Sequence, residues 1–587
     1  LVKGIEDPNT KDLQLQLWTK AIALQHRISR LKRTKENPRC RYAVALQSLR
    51  PDSELPNLLM RMEQPYDPSA LEDCMVKLFR RVWTSDQWQN ADYEQAMQML
   101  QSDMVPDKAK GVLISAVLMA LLEYFDSRKL TFLLDAYLTN DCEISQRALV
   151  SIILTLQKDY ELLDFHSEIK SRLSILFDDD TFVENAYTAM IQLQMSAQTE
   201  EVSNKIREDI MPAILKGSTM MKREMGVVEI NNKLSENGEN PEWIQPDESL
   251  DNKAREKMRE MVDMQINGED VYMATFWQMK NNKFFNEIAH WFYPFTDDDP
   301  ALKNCMEYFN NRSGTVLKTM LRLSPLCDND KYSLCLLTTI LDRPNLQSLA
   351  SHIEAQMENL EKEDSLEMML QHKPTTRQCS RNFIFGLYRF FHLYGFRSEF
   401  YNPFEDAEDM LFSPMDIPAL RGLTSHKQLL MEHADFLMRR GYYAQAFAEF
   451  ELYMKTGKHS AELFQKMGFC DQKLKIWSEA QEYYERADSI KPDSKWTLAH
   501  LGKAYLMQRN YAKALECYQQ TSDMEPENAV YLLRQAECLW HTGQIPAAIE
   551  LLYKANYLDA DSERIRNMLG FCLILNQEYA KGISFFS

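Results

Sequence analysis

The stretch AELFQKMGFCDQKLKIWSEAQEYYERADSIKP, residues 461–492, decides how this chain folds. Small residues stand where the two helices of a hairpin come closest, large apolar residues fill the positions between them, and a proline closes the unit. The residues at these positions are Phe464, Met467, Gly468, Ala480, Tyr484, Ala487 and Pro492. The spacing therefore predicts two packed helices that end at the proline.

The same frame returns every 34 residues between 427 and 587. One step forward places Gly502, Ala514 and Tyr518 at the two small positions and the aromatic position. The steps that begin at 427, 529 and 563 keep the frame with fewer matches. The sequence thus predicts five repeats over 427–587, of which the last is incomplete.

This pattern resembles the tetratricopeptide repeat (TPR) family over residues 427–587. The resemblance implies an all-α fold, an alpha-alpha superhelix or helical-repeat solenoid with a C-terminal TPR array. It also implies a concave groove that binds a peptide or a partner helix. The Lys and Asn residues with which some members clamp the acidic carboxyl terminus of chaperones are missing at the corresponding positions, so that ligand is not expected.

Aromatic and cationic side chains collect at the groove-facing positions of the first helices. They are Phe469, Trp496, His500, Lys503, Arg534, Trp540 and His541. Such residues are enriched in binding hot spots, so they form the predicted peptide-binding site. The alternative for Trp496 and Trp540 is that they only pack between neighbouring helices.

The first part of the chain shows weaker periodicity. Residues 1–100 are predicted to form a helical segment with a basic stretch. Between Arg27 and Arg41 this stretch has seven basic residues and only one acidic residue, Glu36. Residues 101–230 resemble HEAT-like helical pairs, although the proline and the valine–arginine pair of that family are missing. The resemblance depends on the pairs Gly111-Val112, Ala148-Leu149 and Ala186-Tyr187, which recur within amphipathic helices.

A polar stretch separates this block from the next. Residues 231–252 contain Gly238, Pro241 and Pro246 and predict a loop. Residues 253–426 predict degenerate helical repeats, including one TPR-like unit at 269–302.

The formal charge of -19, with a pI near 5.2, repels nucleic acid and anionic membranes at long range. Nucleic acid is therefore not the expected partner, and a solvated helix end is the simple interpretation of the basic stretch. The alternative hypothesis is an RNA- or ribosome-associated helical-repeat factor that uses residues 27–41.

The sequence contains no recognisable catalytic or cofactor-binding motif. There is no phosphate loop, no nucleophile elbow and no C-x-x-C pair among the eleven cysteines. We expect no catalytic residue, no metal and no cofactor, and hence a protein-binding scaffold or adaptor. A regulatory subunit of an enzyme outside this chain is the further alternative. The longest apolar run, residues 112–122, is too short to span a membrane, and cytoplasm is the expected compartment.

The fifth repeat stops within its second helix. Ile583, Phe585 and Phe586 give that helix no polar outer face, which a terminal repeat requires. We expect these side chains to be covered by further chain, to be covered by self-association through this open repeat, or to stay uncovered, in which case the repeat frays.

Overall fold

The structure, a computed structural model, describes residues 10–64, 68–214, 248–296, 299–303, 305, 321, 324–337, 374–405, 411–455, 457 and 459–586. Within these ranges the regular elements are helices and none is a strand, which confirms the all-α class. The chain divides into two compact units, Leu1–Gly422 and Leu423–Ser587, here called the upstream unit and the repeat array.

The described α-helices of the upstream unit are numbered in chain order. They are α1 Thr10–Glu36, α2 Arg41–Ser48, α3 Leu55–Met62, α4 Pro68–Trp83, α5 Asn90–Gln101, α6 Asp107–Glu123, α7 Ser127–Tyr137, α8 Cys142–Asp159, α9 Ser167–Leu176, α10 Asp180–Ala197, α11 Thr199–Lys205, α12 Glu248–Ile266, α13 Met273–Phe276, α14 Asp328–Leu337 and α15 Thr376–Leu393. A π-helical turn, Ile206–Ile210, follows α11, and short 3-10 segments join several of the others.

Helices α6 and α8 form the centre of the upstream unit. Residues 108–122 of α6 are all buried, and α8 packs against α6, α7 and α15. The recurring small residues Gly111, Ala148 and Ala186 lie buried on α6, α8 and α10. A Cβ atom on Gly111 would lie 2.6 Å from Pro294 Cγ, so glycine is required for this approach. The relation of this block to HEAT-like pairs stays a prediction, and its residues 215–230 lie outside the described part of the chain.

A buried network of charged side chains joins distant segments of the upstream unit. Arg389 on α15 bonds to Asp270, with Nη2 3.0 Å from Oδ1, and its Nη2 lies 2.7 Å from Asp330 Oδ2. Lys280 Nζ lies 2.8 Å from Asp330 Oδ1, and all four side chains are at most 2% exposed. Burial acts to raise the pKa of Asp330, but Arg389 and Lys280 outweigh it and hold that pKa below its usual value.

The described residues of 269–302, which leave out 297 and 298, do not form the helical hairpin that the sequence predicts. The four-residue helix α13 is followed by the 3-10 segments Trp277–Asn281, Lys283–Asn286, Ile288–Phe292 and Pro300–Leu302. The reason is steric. In the predicted frame Phe276, Ile288 and Phe295 occupy the three positions where a hairpin needs small residues, so two helices cannot approach each other there.

The predicted polar loop is only partly described. Residues 231–247 lie outside the described ranges, whereas 248–252 begin helix α12, so the loop was predicted to extend too far. Residues 338–373, which fall in the predicted degenerate repeats, also lie outside the described ranges.

The repeat array consists of five helix pairs, which we call repeats 1 to 5. The pairs are α16 Lys427–Arg439 with α17 Tyr443–Met454, α18 Ala461–Lys473 with α19 Trp477–Ile490, α20 Lys495–Met507 with α21 Tyr511–Met524, α22 Ala529–His541 with α23 Ile545–Leu558, and α24 Glu563–Leu575 with α25 Tyr579–Ser584. Each first helix spans 13 residues and begins at the position that the 34-residue frame predicts.

Candidate peptide-binding groove

The same turn joins the two helices in every repeat. The second of the three connecting residues has a positive φ in all five cases: Gly441, Lys475, Arg509, Gly543 and Gln577. The next backbone N–H donates to the carbonyl oxygen five residues earlier, at 2.8 to 2.9 Å. Because the turn repeats, each first helix leaves its partner in the same way, and the groove-facing positions stay in register.

Glycines bring the two helices of a repeat into close contact. A Cβ atom on Gly468 would lie 2.9 Å from the Tyr484 ring and 3.2 Å from the Ala480 carbonyl oxygen. One on Gly502 would lie 3.0 Å from the Tyr518 ring. Each tyrosine thus fills the space over its glycine, as the small and aromatic positions of the sequence predict.

Three of the predicted site residues form an aromatic patch across repeats 2 and 3. Its members, Phe469, Trp496 and His500, have ring centroids 4.0 to 6.1 Å apart. Tyr484 lies beneath them, buried, 5.9 Å from the Trp496 ring and 5.7 Å from the His500 ring. Trp496 remains 42% exposed, so its ring is accessible to a ligand rather than part of the core.

Trp540 and His541 form a second aromatic pair in repeat 4, with ring centroids 4.4 Å apart. Trp540 contacts Phe571 of repeat 5 at 5.7 Å and packs against the buried cluster of repeats 4 and 5. His541 stacks on Tyr511 at 4.4 Å. Both tryptophans therefore contact a neighbouring repeat, as the packing alternative predicts, and Trp496 also remains 42% exposed.

Three cations, one from each of repeats 2, 3 and 4, lie close enough together to repel one another. Burial lowers the pKa of Lys503, and the positive charges of Arg534 and Lys473 lower it further. In the described part of the chain neither Lys473 nor Lys503 forms an ion pair, whereas Arg534 Nη1 bonds to Glu537 at 2.7 Å. Lys503 is therefore held among like charges without a carboxylate of its own.

Lys473 is a member of this site that the sequence analysis missed. Its Nζ lies 5.1 Å from the centre of the Phe469 ring and 5.9 Å from that of Tyr443. The signal was its spacing, since a residue four positions after Phe469 lies on the same helix face.

His500 contributes no positive charge at neutral pH. Burial lowers its pKa to about 4, with smaller effects from Lys503 and Lys473. Its Nδ1 lies 2.8 Å from Gln472 Oε1, which also accepts a hydrogen bond from the Tyr484 hydroxyl at 3.1 Å. A neutral ring donates through Nδ1 and is fixed in orientation, so the positive charge near the patch comes from the lysines.

Part of the basic stretch contacts its own unit. Arg30 pairs with Asp86, and Arg33 Nη1 donates to Glu123 Oε2 at 2.6 Å. The Arg41 guanidinium lies 3.7 Å from the centre of the Phe396 ring. These three cations stabilise the upstream unit, so the stretch is not simply a solvated helix end.

We find no centre for metal chemistry in the described ranges, where no three His, Cys, Asp or Glu side chains are grouped to hold an ion. The eleven cysteines are free thiols, buried except for Cys142. No described helix combines the length and apolar character that crossing a membrane requires.

The end of the last repeat leaves apolar side chains uncovered. Ile583 is 62% and Phe586 is 51% exposed, while Phe585 packs against the cluster of repeats 4 and 5. Self-association through this repeat stays a prediction.

The chain was compared with curated proteins and with solved structures. No curated protein matches the chain. Among solved structures, MamA 41-end from Desulfovibrio magneticus RS-1 is 19% identical over 27% of this chain and 90% of its own, with a TM-score of 0.27. YrrB, described as a TPR protein with an unusual peptide-binding site, is 19% identical over 25% of this chain and 76% of its own, with a TM-score of 0.24.

The family model for the tetratricopeptide repeat matches residues 500–563, which cover most of repeats 3 and 4. The match falls on the helix pairs and turns described above. The C-terminal region of this chain therefore carries tetratricopeptide repeats.

Proposed function

We propose that the protein is a non-enzymatic scaffold or adaptor of the cytoplasm, and that its repeat array binds a peptide or partner helix along the first helices of repeats 2 to 4. One observation carries the proposal: the exposed Trp496 ring contacts His500 at 4.0 Å, and the charges of Lys473 and Lys503, which have no carboxylate partner within the described ranges, act on that histidine. Tryptophan is among the residue types enriched in binding hot spots, and lysines without a carboxylate partner attract a ligand of opposite charge.

The chemistry of the site favours a ligand with an apolar side chain next to an acidic one. Phe469, Trp496 and His500 offer ring faces to the apolar group. A carboxylate between Lys473 and Lys503 would relieve the repulsion between them and form charge-assisted hydrogen bonds. In a chain of net charge -19, such a locally uncompensated pair of cations also directs an acidic ligand to this position.

The remaining predicted residues extend the groove toward repeat 4. Arg534 is partly neutralised by Glu537, which in turn lies 3.5 Å from Arg564, so we assign it a weaker role than Lys503. Trp540 and His541 provide further ring surface. Because Trp540 also packs against the core, its removal should lower stability as well as binding.

A peptide-display selection tests this proposal. A random library is selected on the whole chain and depleted on the double variant Trp496→Ala/Lys503→Glu. We expect retained peptides that pair an acidic with an apolar residue and bind at least about tenfold more weakly to Trp496→Ala. The matched control is Tyr557→Ala, because Tyr557 is an aromatic residue 88% exposed on α23, the second helix of repeat 4. Equal loss in the control, or retained peptides without acidic residues, would contradict the proposal.

Two alternatives remain as predictions. The RNA- or ribosome-associated factor requires the basic stretch, but Arg30, Arg33 and Arg41 are engaged within the upstream unit. RNA binding to this stretch would be sensitive to salt, which filter binding at two salt concentrations measures. A regulatory subunit would instead copurify with its enzyme in a fixed ratio.

A further inference from the structure

Helix α1 presents an apolar stripe to solvent. The stripe consists of Leu17, Ala21, Leu24, Ile28 and Leu31, and its four larger side chains are 50 to 59% exposed. A row of large apolar side chains on one helix differs from the scattered apolar residues of an ordinary surface, and it indicates an interaction site.

The opposite face of α1 is the one that packs on the upstream unit. The His26 ring lies 4.5 Å from that of Tyr124, and Arg33 pairs with Glu123. Trp18, at one side, contacts Phe165 at 5.2 Å. The stripe is thus a second face of α1, which does not take part in packing this helix against the rest of the upstream unit.

The spacing of the stripe is that of a coiled-coil seam. Leu17, Leu24 and Leu31 are separated by seven residues, and Ala21 and Ile28 are also separated by seven. These two series alternate at distances of four and three, as the d and a positions of heptads do. Such a seam fits the ridge of another helix.

Cations flank this seam. Lys20 and Arg27 lie at the g positions and Lys32 at an e position, and all three are exposed. Lys32 lies 4.0 Å from Glu36, whereas Lys20 and Arg27 have no ion pair within the described ranges. Residues at e and g determine the choice of partner in coiled coils, so the partner helix must supply negative charge.

A second copy of this chain does not meet that requirement. A parallel pair of α1 helices would bring Arg27 opposite Lys32, and an antiparallel pair would bring Lys20 opposite Arg27. Both arrangements place like charges together. We propose that the apolar stripe of α1 docks an amphipathic helix of another protein, with aliphatic residues along its seam and acidic residues on both flanks.

Anionic membranes and RNA are the other surfaces that attract a basic amphipathic helix. The charge of -19 on the chain opposes both at long range, whereas a single acidic helix meets only the local field of α1. These two surfaces are therefore outcomes to be measured rather than the occupant proposed.

The test uses synthetic helices and the whole chain. One peptide of about four heptads carries Ile at a, Leu at d and Glu at e and g, and its matched control carries Lys at e and g. We expect the acidic peptide to bind at least about tenfold more tightly than the basic one. The variant Lys20→Glu/Arg27→Glu/Lys32→Glu should invert this preference, and Leu24→Asp/Ile28→Asp should abolish binding of either peptide.

Several results would overturn the proposal. They are equal binding of both peptides, an unchanged preference in the charge-reversed variant, or dimerisation of the chain through α1. A fourth is that the acidic peptide fails to bind while phosphatidylserine vesicles or RNA retain the chain, and that Leu24→Asp/Ile28→Asp removes this retention. Since the substituted side chains are exposed, an unchanged circular dichroism spectrum will show that the variants remain folded. Groove variants such as Trp496→Ala should leave peptide binding to α1 unchanged, so this test is independent of the proposed function.

Discussion

The repeat array and the upstream unit are stabilised by contacts of different reach. In the array, Gly468 packs under Tyr484 of its own repeat, and Tyr484 shares a buried cluster with Leu501 of the next repeat. In the upstream unit, Arg389 bonds to a carboxylate 119 positions away in the sequence. Local contacts recur with a period and can be read from one sequence, whereas a single long-range ion pair leaves no periodic trace.

The largest effect expected from this difference is at Arg389. Arg389→Met leaves the buried carboxylates of Asp270 and Asp330 without their main counter-charge and should destabilise the upstream unit by about 3 to 5 kcal/mol. Amide hydrogen exchange, followed separately in the two units, measures this loss of stability. The amides of the repeat array should exchange as slowly as before. Lys170→Ala, which breaks an exposed pair with Asp164, should change stability by less than about 1 kcal/mol. If Arg389→Met lowers the stability as little as Lys170→Ala does, the buried charge network does not stabilise the upstream unit.

The second prediction concerns Asp471, a buried carboxyl of repeat 2. Burial and then Glu479 raise its pKa to about 7, so the folded array holds the proton more tightly than the unfolded chain. Its contribution therefore grows more unfavourable as pH rises from about 4 to 7, to an upper limit of about 4 kcal/mol. Asp471→Asn should stabilise the array at neutral pH and remove this slope, as denaturant melts at pH 5 and pH 8 measure. A loss of stability in this variant at pH 8 would contradict the assignment.

The third prediction tests the close approach within a repeat. Gly468→Val places methyl groups against the Tyr484 ring and should cost about 1 to 3 kcal/mol. The control is Gly395→Ala, because no atom lies within 4 Å of the added Cβ and its φ is not positive. Amide hydrogen-exchange rates in repeat 2 measure the loss of stability caused by Gly468→Val. An effect of Gly468→Val no larger than that of the control would mean that the two helices are not in contact there.

The smallest effects are expected at the turns. Lys475, Arg509 and Gln577 hold a left-handed conformation that glycine holds at the equivalent positions of repeats 1 and 4. Replacing each by Gly should stabilise the array by up to about 1 kcal/mol, reduced by the greater freedom of glycine in the unfolded chain. Gly441→Ala and Gly543→Ala should destabilise it by a similar amount. Thermal melts of the variants measure whether each substitution raises or lowers the stability. If both groups of substitutions change the stability in the same direction, the five turns do not share one conformation.

The array was predictable because its determinants are local. Helix positions, turn spacing and the small residues at 468 and 502 follow from the 34-residue frame, and so do Phe469, Trp496 and His500. What one sequence does not contain is how charges on neighbouring repeats combine. For that reason Lys473 was missed and the partial burial of Trp540 was left open.

The upstream unit was predictable only in class. Residues 269–302 match a repeat frame by apolar spacing and by Pro300, and their large side chains at the small positions exclude the hairpin. Whether Lys280, Asp330 and Arg389 are buried and paired depends on tertiary contacts, which no local sequence pattern predicts. The heptad spacing of the α1 stripe can be read from the sequence, but which face of the helix lies toward solvent cannot.

A ligand that binds along the first helices of repeats 2 to 4 should slow the exchange of their backbone amides. Hydrogen exchange of the whole chain, with and without a peptide selected by display, tests it most directly. We predict slower exchange in α18, α20 and α22, with no change in α1 or on α23, which carries the exposed Tyr557. Protection confined to the upstream unit, or spread evenly over both helices of each repeat, would contradict the claim.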